Sequence, residues 1–190
     1  GSRIKYMAGQ SSRTSPTVAV LMGGISAERE VSLSSGKACA SALRDQGYKV
    51  VEVDAGPSLV QCLQSIDPYA VLNCLHGRWG EDGCVQGILE WVGIPYSHSG
   101  VLSSALAMDK QRSKNIYRSV KLPVVDSIIV PAIAAREKHL MKPPYVVKPN
   151  NEGSSVGVYV VHENSSGPPQ LGLDMPELVM VEAYVEGREL

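Results

Sequence analysis

A lysine at the end of a β-branched run, followed by a loop of glycine and serine, is a pattern suited to holding an oxyanion. Val146-Val147-Lys148-Pro149-Asn150-Asn151-Glu152-Gly153-Ser154-Ser155-Val156-Gly157 has that form. Gly153 and Gly157 let the backbone approach a ligand closely. Ser154 and Ser155 add hydroxyl donors beside backbone N–H groups, and Lys148 adds a positive charge. The obvious oxyanion is a nucleotide phosphate. This is not a Walker A loop, whose lysine follows the glycines and opens a helix. Here the lysine comes first and a second β-branched run, Val156 to Val161, follows. The plain alternative is a Gly-Ser hairpin with a lysine nearby.

Two further polar clusters could carry chemistry: Gly23-Gly24-Ile25-Ser26-Ala27-Glu28-Arg29-Glu30 and His76-Gly77-Arg78-Trp79-Gly80-Glu81-Asp82-Gly83. The first resembles half of a dinucleotide fingerprint, but G-x-G-x-x-G is missing and Glu28 would repel a pyrophosphate. A carboxylate there suits a cationic group such as an amino-acid amine, or it simply favours a helix N-terminus. His76 has no second His, Cys or paired carboxylate to make it a metal ligand, and a satisfied strand-end histidine is the alternative. Glu81-Asp82 reads as a turn and helix start rather than a catalytic dyad. Trp79 reads as a lid or a surface anchor.

These clusters need strands to place them. Val18 to Met22, Lys49 to Val53 and Ala70 to Leu75 are apolar or β-branched runs. They alternate with helical stretches: one carrying Val31, Ala38 and Ala42 and stopped by Gly47, then Leu59 to Leu63, then Val85 to Trp91. Gly93-Ile94-Pro95-Tyr96 returns toward a strand. Strict alternation predicts a parallel sheet covered on both faces, with ligands beyond the carboxyl ends of its strands. Both polar clusters fall there. From Val101 the pattern changes. A helical stretch over Ser103 to Ser119 contains Asp109-Lys110 and Arg112 to Lys114, and Leu122-Pro123 breaks it. Ser127 to Val130 reads as a strand, Arg136 to His139 as part of a helix, and Leu178 to Glu182 as a last strand. His162 to Glu177 reads as a loop or poorly ordered connection.

Composition sets the class. At 190 residues and 44% hydrophobic, the chain can bury a substantial core. A net charge of −1 leaves no basic footprint for nucleic acid, and no apolar run is long enough to span a membrane. The four cysteines, at 39, 62, 74 and 84, show no C-x-x-C or metal-finger spacing. They read as buried, reduced thiols of a cytoplasmic protein. Gly1-Ser2 reads as an expression scar, and residues 1–16 as a tag or disordered tail outside the fold.

Taken in order, these motifs resemble the N-terminal and partial central region of the D-alanine–D-alanine ligases, ATP-grasp enzymes of bacterial cell-wall synthesis. The matching segments are Gly23 through Ser32, His76-Gly77 with Gly80-Glu81-Asp82-Gly83, Met108-Asp109-Lys110, Lys148-Pro149 through Gly157, and Glu182 through Glu189. The resemblance runs from about residue 17 to the end. It implies an α/β fold with a Rossmann-like, pre-ATP-grasp parallel-sheet domain over residues 17–105. An incomplete α+β ATP-grasp domain over residues 106–190 would follow.

The resemblance also implies roles. Lys110 and Lys148 would hold ATP phosphates beneath the loop carrying Ser154 and Ser155, with Ser154 also orienting the catalytic site. Glu28 would anchor the ammonium of the first D-alanine, and His76 would approach the same substrate. Glu182 and the backbone at Ala183 and Val185 would read adenine, and Glu189 the ribose hydroxyls. Some members carry lysine where Ala183 stands, so only its backbone contact transfers. The first D-alanine would be activated as an acyl phosphate, which the second attacks. The Mg²⁺ (or Mn²⁺) carboxylates, the oxyanion-stabilising arginine and the second-substrate loop are all expected beyond Leu190, so no metal ligand is expected in this chain. The 190 residues alone are expected to lack ligase activity and to fold poorly. A homodimer is expected by resemblance only. The rival readings are a D-alanine–D-lactate type ligase, sharing every ATP residue, and a non-catalytic nucleotide-binding fragment.

Overall fold

The computed structural model describes residues 15–153 and 157–188. Its first half alternates β1 (Thr17–Met22), α1 (Arg29–Asp45), β2 (Lys49–Asp54), α2 (Leu59–Ile66), β3 (Ala70–Asn73) and α3 (Cys84–Val92). The strands form a parallel sheet in the order β2-β1-β3. Tyr96 adds a single parallel bridge to Val71, which is all that the Gly93–Tyr96 run contributes. Side chains of β1 alternate between two cores, as they must in a sheet covered on both faces. Ala19 and Leu21 pack with Val53, Val71, Leu63 of α2 and Leu89 of α3, while Val20 and Met22 face Ala40 of α1 and Cys74.

The face that α1 buries differs from the expected one. Val31, Ala38 and Ala42 point outward, with Val31 52% exposed, and the buried stripe is Ser32, Gly36 and Ala40. The reason is close approach. A Cβ added at Gly36 would lie 2.5 Å from Met22 Cβ, so only small side chains fit between helix and strand. Ser32 is admitted because its Oγ donates to the Cys74 carbonyl at 2.7 Å, satisfying the buried hydroxyl. The expectation for the cysteines is also corrected. Cys74 is buried and Cys39 half-buried, but Cys62 and Cys84 are exposed because they stand on the solvent sides of α2 and at the start of α3.

The second half is built on an antiparallel sheet. The helical stretch expected from Ser103 to Ser119 is two helices, α4 (Val101–Met108) and α5 (Lys110–Ser119), broken at Asp109. Asp109 leaves helical geometry at φ −90°, ψ 102°, and its carboxylate accepts the Arg112 N–H at 2.9 Å, so it ends one helix and caps the next. Then come β4 (Ser127–Pro131), α6 (Ala132–Glu137), β5 (Tyr145–Pro149), β6 (Tyr159–Val161) and β7 (Leu178–Ala183). The sheet order is β4-β7-β5-β6, with every pair antiparallel. α6 stops before His139, which instead shares a hydrogen bond with the Tyr145 hydroxyl at 3.0 Å. Residues 162–177 form no regular element, yet Leu171 from this stretch is buried with Tyr145, Val147, Val179, Val181, Ala132 and Ala135.

Candidate functional site

Two loops beyond the carboxyl ends of β1 and β3 are locked to each other. Gly23 and Gly24 turn the chain with φ of +71° and +75°, and a Cβ at Gly23 would lie 2.4 Å from Asp54 Oδ1. Arg29 donates to Asp54 Oδ1 and Oδ2 at 2.8 and 2.6 Å and to the Gly24 carbonyl at 2.9 Å, fastening this loop to the end of β2. Asp54 is held well below the usual carboxylate range, at about 2, chiefly by the hydrogen bond from Arg29. Ser26 Oγ donates to the His76 carbonyl at 2.9 Å and accepts the Glu28 N–H at 3.2 Å, tying the first loop to the second. His76 Nε2 shares a hydrogen bond with Ser35 Oγ at 3.2 Å.

The second loop is self-braced. Glu81 accepts the Gly77 N–H at 2.7 Å, and Asp82 accepts the N–H groups of Trp79 and Cys84 at 2.9 and 3.1 Å. Both carboxylates therefore serve the turn and helix start, as their spacing suggests. Trp79 is 44% exposed, has φ +72° and carries the Arg78 guanidinium 4.7 Å from its ring centre. It stands over an apolar hollow of about 250 Å³ among Gly24, Pro57, Leu59, Leu75 and Val85.

Glu28 is buried, at 6% exposure. A Cβ on Gly77 would lie 2.3 Å from its Oε2, and one on Gly153 would lie 3.3 Å from the same atom. The loop after β5 thus comes directly against the carboxylate that follows β1. At Gly77 only glycine permits this approach, and at Gly153 an added Cβ would make a tight contact that the carboxylate must yield to.

The other side of that loop meets lysines. Lys110 Nζ donates to the Glu152 carbonyl at 2.6 Å and the Asn150 carbonyl at 3.4 Å. Asn150 fixes the start of α5 in return, its Oδ1 accepting the Gln111 N–H at 3.0 Å and its Nδ2 donating to Asp109 at 2.9 Å. Burial and then the neighbouring Lys148 charge push the Lys110 ammonium below its ordinary value. Lys148 and Glu182 stand on adjacent strands in a register that pairs Lys148 with Met180 and Val146 with Glu182. They are diagonal neighbours on one face, within reach of long side chains, and they form an ion pair. Glu182 Oε2 accepts from Lys114 Nζ at 2.5 Å. Burial works to raise the Glu182 carboxyl, but the hydrogen bonds from Lys114 and Lys148 outweigh it and hold the group below the usual carboxylate range. Between the two halves lies a cleft of about 590 Å³, lined among others by Ser35, His76, Glu81, Lys110, Glu152 and Gly153.

A family profile for the D-ala D-ala ligase C-terminus matches residues 126–190. The D-alanine–D-alanine ligase of Roseobacter denitrificans is 71% identical over 182 residues, covering 96% of this chain and 57% of the relative. That of Cereibacter sphaeroides is 65% identical over 184 residues, covering 97% and 60%. The chain belongs to the D-alanine–D-alanine ligase family. It spans about three-fifths of the length of these curated relatives, from 57% to 60%. The crystal structure of the Bacillus anthracis D-alanine–D-alanine ligase matches at a TM-score of 0.72 and 33% identity, covering 91% of this chain and 59% of that one. The structure of the same ligase complexed with ATP matches at 0.70 and 30%, covering 91% and 60%. As in those ligases, an α/β arrangement places a parallel sheet before an antiparallel one.

Set against the ligase resemblance, the structure gathers His76, Lys110 and Gly153 around the cleft, sets Glu28 against Gly153, and places Lys148 and Glu182 on the strands beside Lys110. The Ala183 N–H donates to the Asp126 carbonyl at 3.0 Å, and Val185 is exposed just beyond β7. Ser154, Ser155 and Glu189 lie outside the described residues. Among the described residues no group of three or more His, Cys, Asp or Glu could hold a metal ion, and no helix is long and apolar enough to cross a membrane. Sequence reasoning passed over Lys114, Asn150, Ser35 and the Arg29–Asp54 clamp. A signal existed only for Lys114, which stands one helical turn after Lys110.

Proposed function

We propose that the full-length protein is an ATP-dependent carboxylate–amine ligase joining two D-alanines for peptidoglycan precursor synthesis. The observation that carries this reading is the Gly153 loop seated between Lys110 and Glu28. One loop then touches both a phosphate-suited lysine and an amine-suited carboxylate. The γ-phosphoryl group of ATP passes to the carboxylate of the first D-alanine, giving an acyl phosphate and ADP. The amine of the second D-alanine attacks the acyl carbon, the C–O bond to phosphate breaks, and inorganic phosphate leaves.

In this reading Lys110 and Lys148 counter the phosphate charge, since phosphoryl transfer depends on positioning and charge neutralisation rather than covalent help. Ser154 and Ser155 close over the phosphates, and Ser154 also orients the reacting site. Glu28 holds the ammonium of the first D-alanine, and His76, steadied by Ser35, borders the same substrate. Glu182 with the backbone of Ala183 and Val185 takes the adenine, and Glu189 the ribose. Burial of Glu28 and the low local polarisability strengthen such an ion pair relative to water. Mg²⁺ or Mn²⁺ is expected to neutralise ATP phosphates. We assign no residue of this chain to its site, and no step here passes through it.

We divide the chain near residue 105 into a Rossmann-like, pre-ATP-grasp substrate domain (17–105) and an ATP-grasp portion (106–190), with residues 1–16 as a tail. We further assign the protein to the cytoplasm and to a homodimer, on family resemblance.

The test separates the two substrates in the full-length protein. Glu189→Ala should raise KM for ATP by losing a charge-assisted acceptor, an effect of roughly 1.5–3 kcal/mol, and leave KM for D-alanine nearly unchanged. Glu28→Ala should do the reverse. If both variants instead weakened ATP alike, Glu28 would belong to the nucleotide site and the amino-acid assignment would fail.

A further inference from the structure

Lys114 has no role in the reading above, yet it is one of the most buried charges near the site. Its side chain and that of Glu182 are each 12% exposed, against 23% for Lys148. Lys114 Nζ makes two contacts, to the Val125 carbonyl at 2.9 Å and to Glu182 Oε2 at 2.5 Å. It does not line the cleft. Glu182 divides its two oxygens, Oε1 to Lys148 and Oε2 to Lys114. Lys110, Lys114, Lys148 and Glu182 thus make a cluster of three cations and one carboxylate.

That division has a chemical consequence. Lys148 cannot give its full charge to a phosphate while it is paired with Glu182. If Lys148 were the sole partner, its departure would strand a buried carboxylate, which is costly. A second lysine on the other oxygen removes that cost, because Glu182 stays compensated when Lys148 turns away. We propose that Lys114 is a positioning residue that retains Glu182 so that Lys148 can be exchanged from Glu182 to the ATP phosphates. The inference rests on the reading of Lys148 as a phosphate-binding lysine. Lys114 itself touches no substrate and acts through Glu182. It stands four residues after Lys110, one turn along the same face of α5, so that Lys110 reaches the Glu152 carbonyl while Lys114 reaches Glu182 on β7.

The experiment measures ATP affinity by calorimetry, D-alanine KM and thermal midpoint in the full-length protein, for Lys114→Met, Lys114→Arg, Glu182→Gln and the Lys114→Met/Glu182→Gln double variant. Lys114→Met should weaken ATP at least tenfold while D-alanine KM moves less than twofold, and Lys114→Arg should recover most of the loss. In the Glu182→Gln background Lys114→Met should add less than twofold, since its effect runs through that carboxylate. Should Lys114→Met fail to fold, Lys114→Gln, which keeps a donor but no charge, is measured in both backgrounds with the same expectation. A lowered thermal midpoint with unchanged ATP affinity would make Lys114 a structural bond to Val125 and overturn the proposal. An ATP loss that persists in full beside Glu182→Gln would overturn it too. Lys148→Ala separates the two failures. If that variant keeps its ATP affinity, the nucleotide reading itself falls. If it loses affinity while Lys114→Met does not, only the role of Lys114 falls.

Discussion

Glu28 and His76 stand in loops beyond β1 and β3, whereas Lys148 and Glu182 stand on β5 and β7 themselves. The two regions therefore secure their chemistry by different means. On the parallel side the backbone leaves the sheet before the candidate side chain appears, and its position depends on clamps. Arg29 fastens the first loop to Asp54, Ser26 joins it to the second, and Glu81 braces the second internally. On the antiparallel side no clamp is needed, because the register that pairs Lys148 with Met180 puts Glu182 diagonally beside it. Loop-borne groups can approach a ligand from above the sheet and need glycine to do so. Strand-borne groups are fixed by the ladder, at the cost of a defined distance between them.

The largest expected effect bears on the strand-borne half. In the full-length protein, Lys148→Ala should lower kcat by on the order of 10²–10³-fold, the range seen when one preorganised donor is removed. The thermal midpoint should hold, because the ladder rather than the ion pair sets the register. Retention of most of the kcat would mean that the Lys148–Glu182 pair is structural, and the two regions would then differ in function as well as in design.

Gly77→Ala tests the loop-borne half. The new Cβ would lie 2.3 Å from Glu28 Oε2 at a φ of +66°, so the carboxylate must move. D-alanine KM should rise about tenfold, equivalent to about 1.4 kcal/mol, with ATP KM unaffected. An unchanged D-alanine KM would show that Glu28 is not where the amine binds.

Asp109→Ala examines the break between α4 and α5. Loss of the cap on α5 should cost about 1 kcal/mol in unfolding free energy by denaturant titration. Asn150 would lose a partner at the same time, so ATP KM should rise by a few-fold. Asp109→Asn keeps a cap acceptor and should restore most of the stability. If ATP KM did not follow stability, the start of α5 would be irrelevant to the placement of Lys110.

The smallest effect concerns the Arg29 clamp. Asp54 has a folded-state pKa of about 2, below the ordinary 3.8. Its contribution to stability is therefore present above the ordinary carboxylate value and lost as pH falls through that value toward about 2. Both partners are well exposed, so solvent and salt weaken the pair. The thermal midpoint of the wild type should exceed that of Asp54→Asn modestly at pH 7, with the gap closing toward pH 2. A gap that did not change with pH would mean that the loop is held by its glycines alone.

Much of the first region was legible in the sequence. Its apolar runs alternate with amphipathic stretches, and a parallel sheet with buried strands is what such alternation produces. The face of α1 was not legible. Helical spacing of Val31, Ala38 and Ala42 suggested one face, but closeness to β1 selected Ser32, Gly36 and Ala40, and hydrophobicity carries no information about how near a partner will come. The helix break at Asp109 was likewise hidden within an unbroken helical pattern, although a capping aspartate before Lys110 was there to be seen.

By itself the sequence determined the alternating first half, the glycine-rich turns at its strand ends, the order of the polar motifs and the family to which they belong. These are local properties, set by side-chain periodicity, backbone preference and residue identity. The tertiary structure alone decided that Gly153 meets Glu28, that Lys148 and Glu182 are diagonal neighbours in the order β4-β7-β5-β6, and that Lys114 takes the second oxygen of Glu182. Each of these joins residues far apart in the chain. Such contacts depend on strand register and on the approach of one layer to another, which no local pattern encodes.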